Sequence, residues 1–450
     1  MQKKSIFAPL IENDLTSLKI QYDFKTDAIK MWAAKEYEKD QDFSRYNTDF
    51  YAESILTEDA KFLNTKEVYA LYDASGLGDY LREYIERIRE GKHFGIEAYY
   101  NYRYDMGFVE NQHSRRKGLK NHMRTFFDGG IRRHTHEEDE LACLQDGLNL
   151  GRAMSYKNFP ADVPVGGAKA VLISDPVDLD NMDQMGWFAY CIDKCKAATT
   201  PDMYLPPEMV GVINEHFSEQ WLTGTNSRMG SSAIPTAIGV YEAMKVGYKF
   251  KTGETLEGKT VAVQGLGGVG YKVASLLAED GISIIVTDIN EARIEQLKKE
   301  FPDADITAVG ADEILTVKCD VLCPCAMGGV ISEELIPELQ TNVIVGAANN
   351  QLKGVSAEDE RKVAQALKDA GIQYQQDFVN NCGGVICALY EYEEAENADF
   401  DVMIKRVKDK VSSFSLKLLE DAEEKGVTTT DMIYDICEAY LYGDLDYKDL

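Results

Sequence analysis

Residues 259–288 constrain the fold of this chain most. LysThrValAlaValGln (259–264) is an apolar run of strand length that leads straight into GlyLeuGlyGlyValGly (265–270). Residues 271–280 follow with Val273, Leu276 and Leu277 at helical spacing, and 283–287 is a second strand ending at Asp288. Strand, glycine turn, helix and strand make a βαβ unit, whose strands lie parallel with a right-handed crossover. Gly265, Gly267 and Gly270 stand in a GxGxxG pattern. The first permits the tight turn, the second lets backbone approach a pyrophosphate, and the third lets helix and strand pack closely. Gly268 and Val269 complete the turn, where free N–H groups at the helix start receive the anion. The Asp288 carboxylate can accept hydrogen bonds from both ribose hydroxyls and would repel a 2′-phosphate. The unit therefore predicts a dinucleotide site with NAD preferred over NADP.

The alternation continues. Residues 291–301 read as a helix, and 320–324 and 343–345 as strands, so a parallel sheet is expected. Beyond Asp399, residues Ile404, Val407, Val411, Phe414 and Leu418 recur at steps of three or four, one apolar helix face. The expected fold class is α/β in two lobes with a cleft between them. Residues 241–385 form the dinucleotide-binding (Rossmann) domain and 111–240 an α/β substrate domain. Residues 1–110 are an N-terminal extension of the first lobe, and the helical segment 386–450 packs back on that lobe. Residues 1–110 carry no chemical motif.

Charge and cysteine usage narrow the class. The chain has 450 residues and a formal charge of −28, which argues against nucleic acid or an anionic membrane as partner. The basic island HSRRKGLKNHMR (113–124) fits an anion or the acidic faces of the same protein equally well. No run approaches ~20 apolar residues, and the first residues, MQKKSIFAPLIEND, lack the long apolar core of a secretory signal. A cytoplasmic protein is expected. The nine cysteines show no paired CxxC units and read as small buried hydrophobes. His134 and His136, followed by Glu137 and Glu138, have a spacing compatible with metal but read better as a solvated helix entry. No metal is expected.

Two lysines lie upstream of the glycine turn. Lys157 is in MetSerTyrLysAsn and Lys169 in ValGlyGlyAlaLys, with Pro160, Pro164, Gly166 and Gly167 between them. Glycines beside a lysine let backbone press close to a small ligand, and a lysine in a dry cleft has a lowered pKa suited to acid–base work. Spacing alone does not separate this from an ordinary solvated lysine.

Several ordered segments resemble the glutamate/leucine/phenylalanine/valine dehydrogenase family, nearest its leucine dehydrogenase branch. They are AspGlyGlyIleArg (128–132), the two lysine segments, the glycine turn with IleValThrAspIleAsn (285–290), CysProCysAlaMetGlyGly (323–329), AlaAsnAsnGlnLeu (348–352) and AsnCysGlyGlyVal (381–385). The resemblance implies NAD-dependent oxidative deamination of an L-amino acid to a 2-oxo acid and ammonia, and a homo-oligomer assembled through the first lobe. It implies Lys157 as the binder of the substrate α-carboxylate, Lys169 as the catalytic acid–base and Asp202 as the proton carrier for the amine. Thr236, Ala326 and Asn350 match residues around the nicotinamide, and Asn381 one beside cofactor and substrate. Asp128, Thr200, Val385 and Ala388 match the walls around the substrate side chain.

The departures from the family are informative. Ala168 stands where a third glycine is usual, and ThrThrProAspMet around Asp202 lacks the usual acidic-Asp-Val-Gly pattern. Asp128 would repel glutamate and leave a buried charge unpaired against leucine, which suggests a polar or cationic substrate side chain. Equally, it can turn away to pair with Arg132 or Arg133. The rival readings are another Rossmann oxidoreductase acting on a small acid or alcohol, and a catalytically silent NAD-binding or structural homologue.

Overall fold

The computed structural model describes residues 4–443 other than 117, 120–123, 218–227, 355 and 395–396. The chain forms two units, one of residues 1–158 and 164–230, the other of 159–163 and 231–444.

The first unit is built on an eight-stranded sheet. Its strands are β1 (Ser17–Asp23), β2 (Ala28–Ala34), β3 (Phe62–Asn64), β4 (Gly95–Asn101), β5 (Met106–Gln112), β6 (Phe127–His134), β7 (Gly166–Ile173) and β8 (Ala197–Pro201). Their order across the sheet is β3-β2-β1-β4-β5-β7-β6-β8. The β3-to-β7 part is antiparallel, while β6 runs parallel to both β7 and β8. The N-terminal extension therefore supplies five of the eight strands. The signal was present: in SerLeuLysIleGlnTyrAsp, Leu18, Ile20 and Tyr22 are buried while Lys19, Gln21 and Asp23 are less so, the period-2 pattern of a strand. Asp23 closes the turn to β2 by accepting the Lys25 N–H and the Thr26 hydroxyl.

β7 lies inside the sheet and every one of its residues is buried. Alternation sends Ala168, Ala170 and Leu172 into a core with Phe108, Phe127 and Trp187. Val171 and Ile173 enter a second core with Leu144 and Leu148 of the helix Glu140–Ala161. Fully burying an aliphatic side chain such as Val171 or Leu172 contributes about 2 kcal/mol. These contacts fix the strand that carries Lys169. Ala168, the departure from the family pattern, lies within β7 and is fully buried in the first core.

The second unit holds a six-stranded, wholly parallel sheet. Its strands are β9 (Thr260–Gln264), β10 (Ser283–Thr287), β11 (Ile306–Ala308), β12 (Val321–Pro324), β13 (Val343–Ile344) and β14 (Gln373–Tyr374), in the order β11-β10-β9-β12-β13-β14. The four strands expected from sequence are all present. β11 and β14 are additions, each too short to show a period of its own.

The C-terminal helices group with the second unit. Phe400–Lys425 buries Met403, Val407, Val411 and Leu418 along the helix Ala233–Thr252, where a Cβ added at Gly239 would meet Val411 at 3.4 Å. The last helix, Thr429–Tyr442, is tied to the Ala357–Asp369 helix by Arg361 with Asp431 and Asp435, and its Thr429 hydroxyl donates to the Tyr374 carbonyl of β14. The apolar face was legible, but periodicity does not name the surface that covers it. The 233–252 helix packs within the second unit, which takes up the chain from residue 231.

Among the described residues no helix is long and apolar enough to cross a membrane. All nine cysteines are free thiols, eight of them buried.

Candidate active site

The first unit gathers a charged cluster around the β6, β7 and β8 strands. Lys169 is only 7% exposed, and its Nζ lies 2.5 Å from Asp202 Oδ2. Asp202 follows directly on β8, its N–H bonded to the Ile131 carbonyl of β6. Arg132 also grips Asp202 Oδ2, at 3.0 Å from Nη2 and 3.3 Å from Nε, while its Nη1 reaches Asp146 at 2.8 Å. Asn111 donates to the Lys169 carbonyl and accepts from Tyr84, which pins the lysine's backbone.

Electrostatics separate the pair. Burial pushes the Lys169 pKa below the ordinary lysine value, and the Asp202 attraction only partly restores it; the nearby Arg132 charge lowers it further. For Asp202, burial opposes ionisation, but Lys169 and Arg132 outweigh it and hold the carboxyl below its usual range. The result is a carboxylate beside an amine that loses its proton more readily than a free lysine.

The neighbouring glycines are required by packing. A Cβ on Gly130 would stand 2.9 Å from Lys169 Nζ and 3.2 Å from the Thr200 carbonyl oxygen. One on Gly129 would strike the Ala168 carbonyl at 1.9 Å. Gly166 and Gly167 let β7 meet its neighbours: added Cβ atoms would lie 1.1 Å from the Ser114 carbonyl and 2.1 Å from the Ser155 nitrogen. The close approach seats the helix carrying Lys157 on the strand carrying Lys169, with Gly167 N–H donating to Ser155 Oγ at 2.8 Å.

Asp128 is half-buried and two residues before Gly130 on β6, so strand alternation puts it on the Lys169 face. Neither expected arginine is its partner. Asn158 Nδ2 donates to it at 2.6 Å, while Arg132 serves Asp202 and Asp146, and Arg133 serves the Tyr204 and Ser174 carbonyls. Burial pushes the Asp128 carboxyl up to about 7, against the pull of Asn158 and the positive charge of half-buried Lys157.

In the second unit Gly265 adopts φ +90°, and a Cβ there would meet Ala326 at 2.7 Å. A Cβ on Gly270 would lie 2.0 Å from the Gly265 carbonyl and 2.9 Å from Cys325. At Gly267 the nearest atom to an added Cβ is Arg293, 3.9 Å away, so the space over this residue is open. Gly267 is the N-cap of the helix Gly268–Glu279, with no side chain capping the helix and Val269 in its first turn. Asp288 accepts the Leu266 N–H at 2.6 Å and the Asn290 N–H at 2.7 Å. Each carboxylate oxygen retains a lone pair for a further donor. Asn350, at φ +52°, donates its N–H to Asp377. Asn381 donates to the Ala347 carbonyl and to Asn349, leaving its buried Oδ1 without a partner among the described residues. Thr236 Oγ1 donates to the Ser232 carbonyl beside Gly384. Val385 and Ala388 lie three residues apart on one half-exposed face of the helix Gly383–Glu394. A pocket of 660 Å³ lined by Thr260, Asp320 and Asn342 opens at the amino ends of these strands. In open parallel sheets ligands bind at the carboxyl ends, where the glycine turn lies.

The sequence reading named Lys169 and Asp202 but gave no positioning role to Arg132, Asp146, Asn111 or Asn158. Arg132 was visible two residues beyond Gly130 in the quoted motif. Asn111, from β5, had no local signal.

Two family models match the chain. The Glutamate/Leucine/Phenylalanine/Valine dehydrogenase model matches residues 230–439, and the Glu/Leu/Phe/Val dehydrogenase dimerisation-domain model matches 97–221. The chain is 39% identical to the leucine dehydrogenase of Bacillus subtilis over 282 residues, 60% of this chain and 73% of that protein. It is 34% identical to the L-tryptophan dehydrogenase of Nostoc punctiforme over 296 residues, 65% of this chain and 80% of that one. The crystal structure of an L-tryptophan dehydrogenase from Nostoc punctiforme superposes with a TM-score of 0.62 at 29% identity, covering 80% of this chain and 98% of the other. The chain belongs to the glutamate/leucine/phenylalanine/valine dehydrogenase family and is an amino-acid dehydrogenase that oxidatively deaminates its substrate.

Proposed function

We propose that the enzyme converts an L-amino acid reversibly to the 2-oxo acid and ammonia, with NAD as cofactor and Lys169 as the acid–base group. The observation that carries this is the buried Lys169–Asp202 pair, with the lysine's pKa below its ordinary value. Lys157 pairs with the substrate α-carboxylate. Lys169, once neutral, takes a proton at Nζ from the water that attacks the iminium carbon, and Asp202 carries protons to and from the departing nitrogen. Arg132 holds Asp202 in place while this happens.

The second unit fits a nicotinamide dinucleotide. The open space over Gly267, the helix start without a side-chain cap and the Asn381 Oδ1, which has no partner among the described residues, each offer what such a ligand needs. Gly265, Gly267, Gly268, Val269 and Gly270 would hold the pyrophosphate and Asp288 the ribose. Thr236, Ala326, Asn350 and Asn381 would surround the nicotinamide. When bound, the cofactor accepts the hydride from the substrate α-carbon.

Asp128, paired with an amide and not an arginine, favours a substrate side chain that donates an N–H or carries positive charge; Thr200 in the first unit and Val385 and Ala388 in the second are the further side-chain positions that the family resemblance implies. Self-association through the unit matching the dimerisation domain is part of the proposal, as is a cytoplasmic location, consistent with nine free thiols. The test is NADH production from a panel of lysine, ornithine, tryptophan, leucine and glutamate, with NADP for comparison. Lys169→Ala should lower kcat at least a hundredfold. Turnover surviving that change removes Lys169 from the mechanism, and a preference for leucine or glutamate removes the role given to Asp128.

A further inference from the structure

The end of β6 carries a side-chain constellation that the reaction does not use. His134 closes the strand, Glu138 lies in the turn that follows, and Cys143 sits in the first turn of Glu140–Ala161. One donor atom from each lies within 4.8 Å of the other two. In sequence, His134 and His136 with Glu137 and Glu138 read as a solvated helix entry. The fold replaces that set by adding Cys143 and leaving His136 and Glu137 outside it.

Three observations point to a ligand. Glu138 is held ready: its Oε1 accepts the Thr135 N–H at 2.7 Å while Oε2 faces His134 Nδ1 at 2.9 Å. His134 Nε2 is buried without a hydrogen-bond partner among the described residues, Asp146 Oδ2 being 3.9 Å away. Cys143 is buried at 4% exposure, with its donor atom within 4.8 Å of those of His134 and Glu138. Nitrogen, carboxylate oxygen and thiolate sulfur together suit zinc, which takes four such ligands, water included, in tetrahedral array.

We propose that His134, Glu138 and Cys143 bind one zinc-class divalent cation per chain, and that its binding slows the enzyme. Asp146 supplies the coupling. It holds Arg132 Nη1, and Arg132 holds Asp202 against Lys169. A dication on the His134 side of Asp146 competes with Arg132 for the same carboxylate and loosens the clamp on Asp202. This second part rests on the catalytic reading of Lys169 and Asp202; the binding does not.

Co²⁺ titration of the full-length, chelator-stripped protein tests the site without turnover. A thiolate-to-cobalt charge-transfer band should saturate at one equivalent, be displaced by Zn²⁺, and persist in Lys169→Ala. It should vanish in Cys143→Ser, and affinity should fall at least tenfold in Glu138→Gln, whose side chain is half-exposed and leaves the core intact. No band, or a band that survives Cys143→Ser, overturns the site. In the activity arm, Zn²⁺ should inhibit the wild type and spare Cys143→Ser. Saturated binding without inhibition overturns the coupling through Asp146, and equal inhibition of both proteins places the effect elsewhere. Failure of the catalytic reading would show separately, as turnover by Lys169→Ala with the cobalt band unchanged.

Discussion

Replacing Asp202 by Asn tests the charged pair most directly. The substitution keeps the shape of the side chain and removes one negative charge 2.5 Å from Lys169 Nζ. At an effective dielectric constant near 20, two unit charges about 4 Å apart attract by about 4 kcal/mol. Lys169 and Arg132 share this attraction, and part of it is screened because a third of the Asp202 side chain is exposed. Asp202 raises the Lys169 pKa, working against burial and Arg132. Its removal therefore lets the pKa fall further, since burial remains and Arg132 loses its counter-charge. On the proposed mechanism oxidative deamination needs neutral Lys169, so the rate rises with pH through this pKa. In Asp202→Asn the rising limb of kcat/KM against pH should move to lower pH. The plateau should drop by a factor of about 100 to 10,000, because the proton carrier is gone. The assay is NADH formation across the pH range, with Lys169→Ala as the control that lacks the limb. A limb that stays in place, or moves to higher pH, refutes the assignment of Lys169 and Asp202 as a coupled pair.

Three further outcomes follow from other contacts. Glu110 is 1% exposed, and burial with the Glu97 charge pushes its carboxyl up to about 8 from 4.5. The folded state therefore loses stability as pH rises from about 4.5 through 8, and Glu110→Gln should gain over wild type across that window, up to about 4 kcal/mol at its top; denaturant melts at pH 5 and 9 giving the same difference would contradict this. Gly130→Ala should cut kcat by about tenfold or more with little change in Tm, since the new methyl meets the flexible end of Lys169, whereas Gly129→Ala meets backbone and should lower stability by about 1–3 kcal/mol; equal Tm values for the two would count against it. Asp288→Ser should raise kcat/KM for NADP relative to NAD by about tenfold or more, because the carboxylate that repels a 2′-phosphate is removed; an unchanged ratio shows that Asp288 does not meet the ribose.

The glycine turn could be read from sequence because its constraints are local. Gly265 needs a positive φ, Gly270 needs its carbonyl neighbour close, and both partners lie within a few residues or on the adjacent strand. The β11 and β14 strands escaped because two or three residues cannot display a period. The five strands of the N-terminal extension are harder to read for a different reason: 17–23 alternates, but 95–101 is buried at six of its seven positions and shows no period of two.

The clamp on Asp202 marks where sequence stops being informative. Lys169, Asp202, Arg132 and Asp146 come from four elements, and no spacing along the chain says that β6 lies between β7 and β8. The partner of Asp128 likewise depended on which helix covers the strand: Asn158, from Glu140–Ala161, reached it before either arginine. The surface under the C-terminal helices was decided the same way.

By itself, then, the sequence determined the βαβ unit, the glycine turn, the two lysine segments and the membership they imply. Those are properties of backbone conformation and residue type, set by neighbours in the chain. Tertiary structure decided the ionisation and partners of the charged side chains. The Lys169 pKa is lowered because burial in a strand packed under a helix removes water from its amine, and Asp202 stays ionised because two cations from separate strands converge on it.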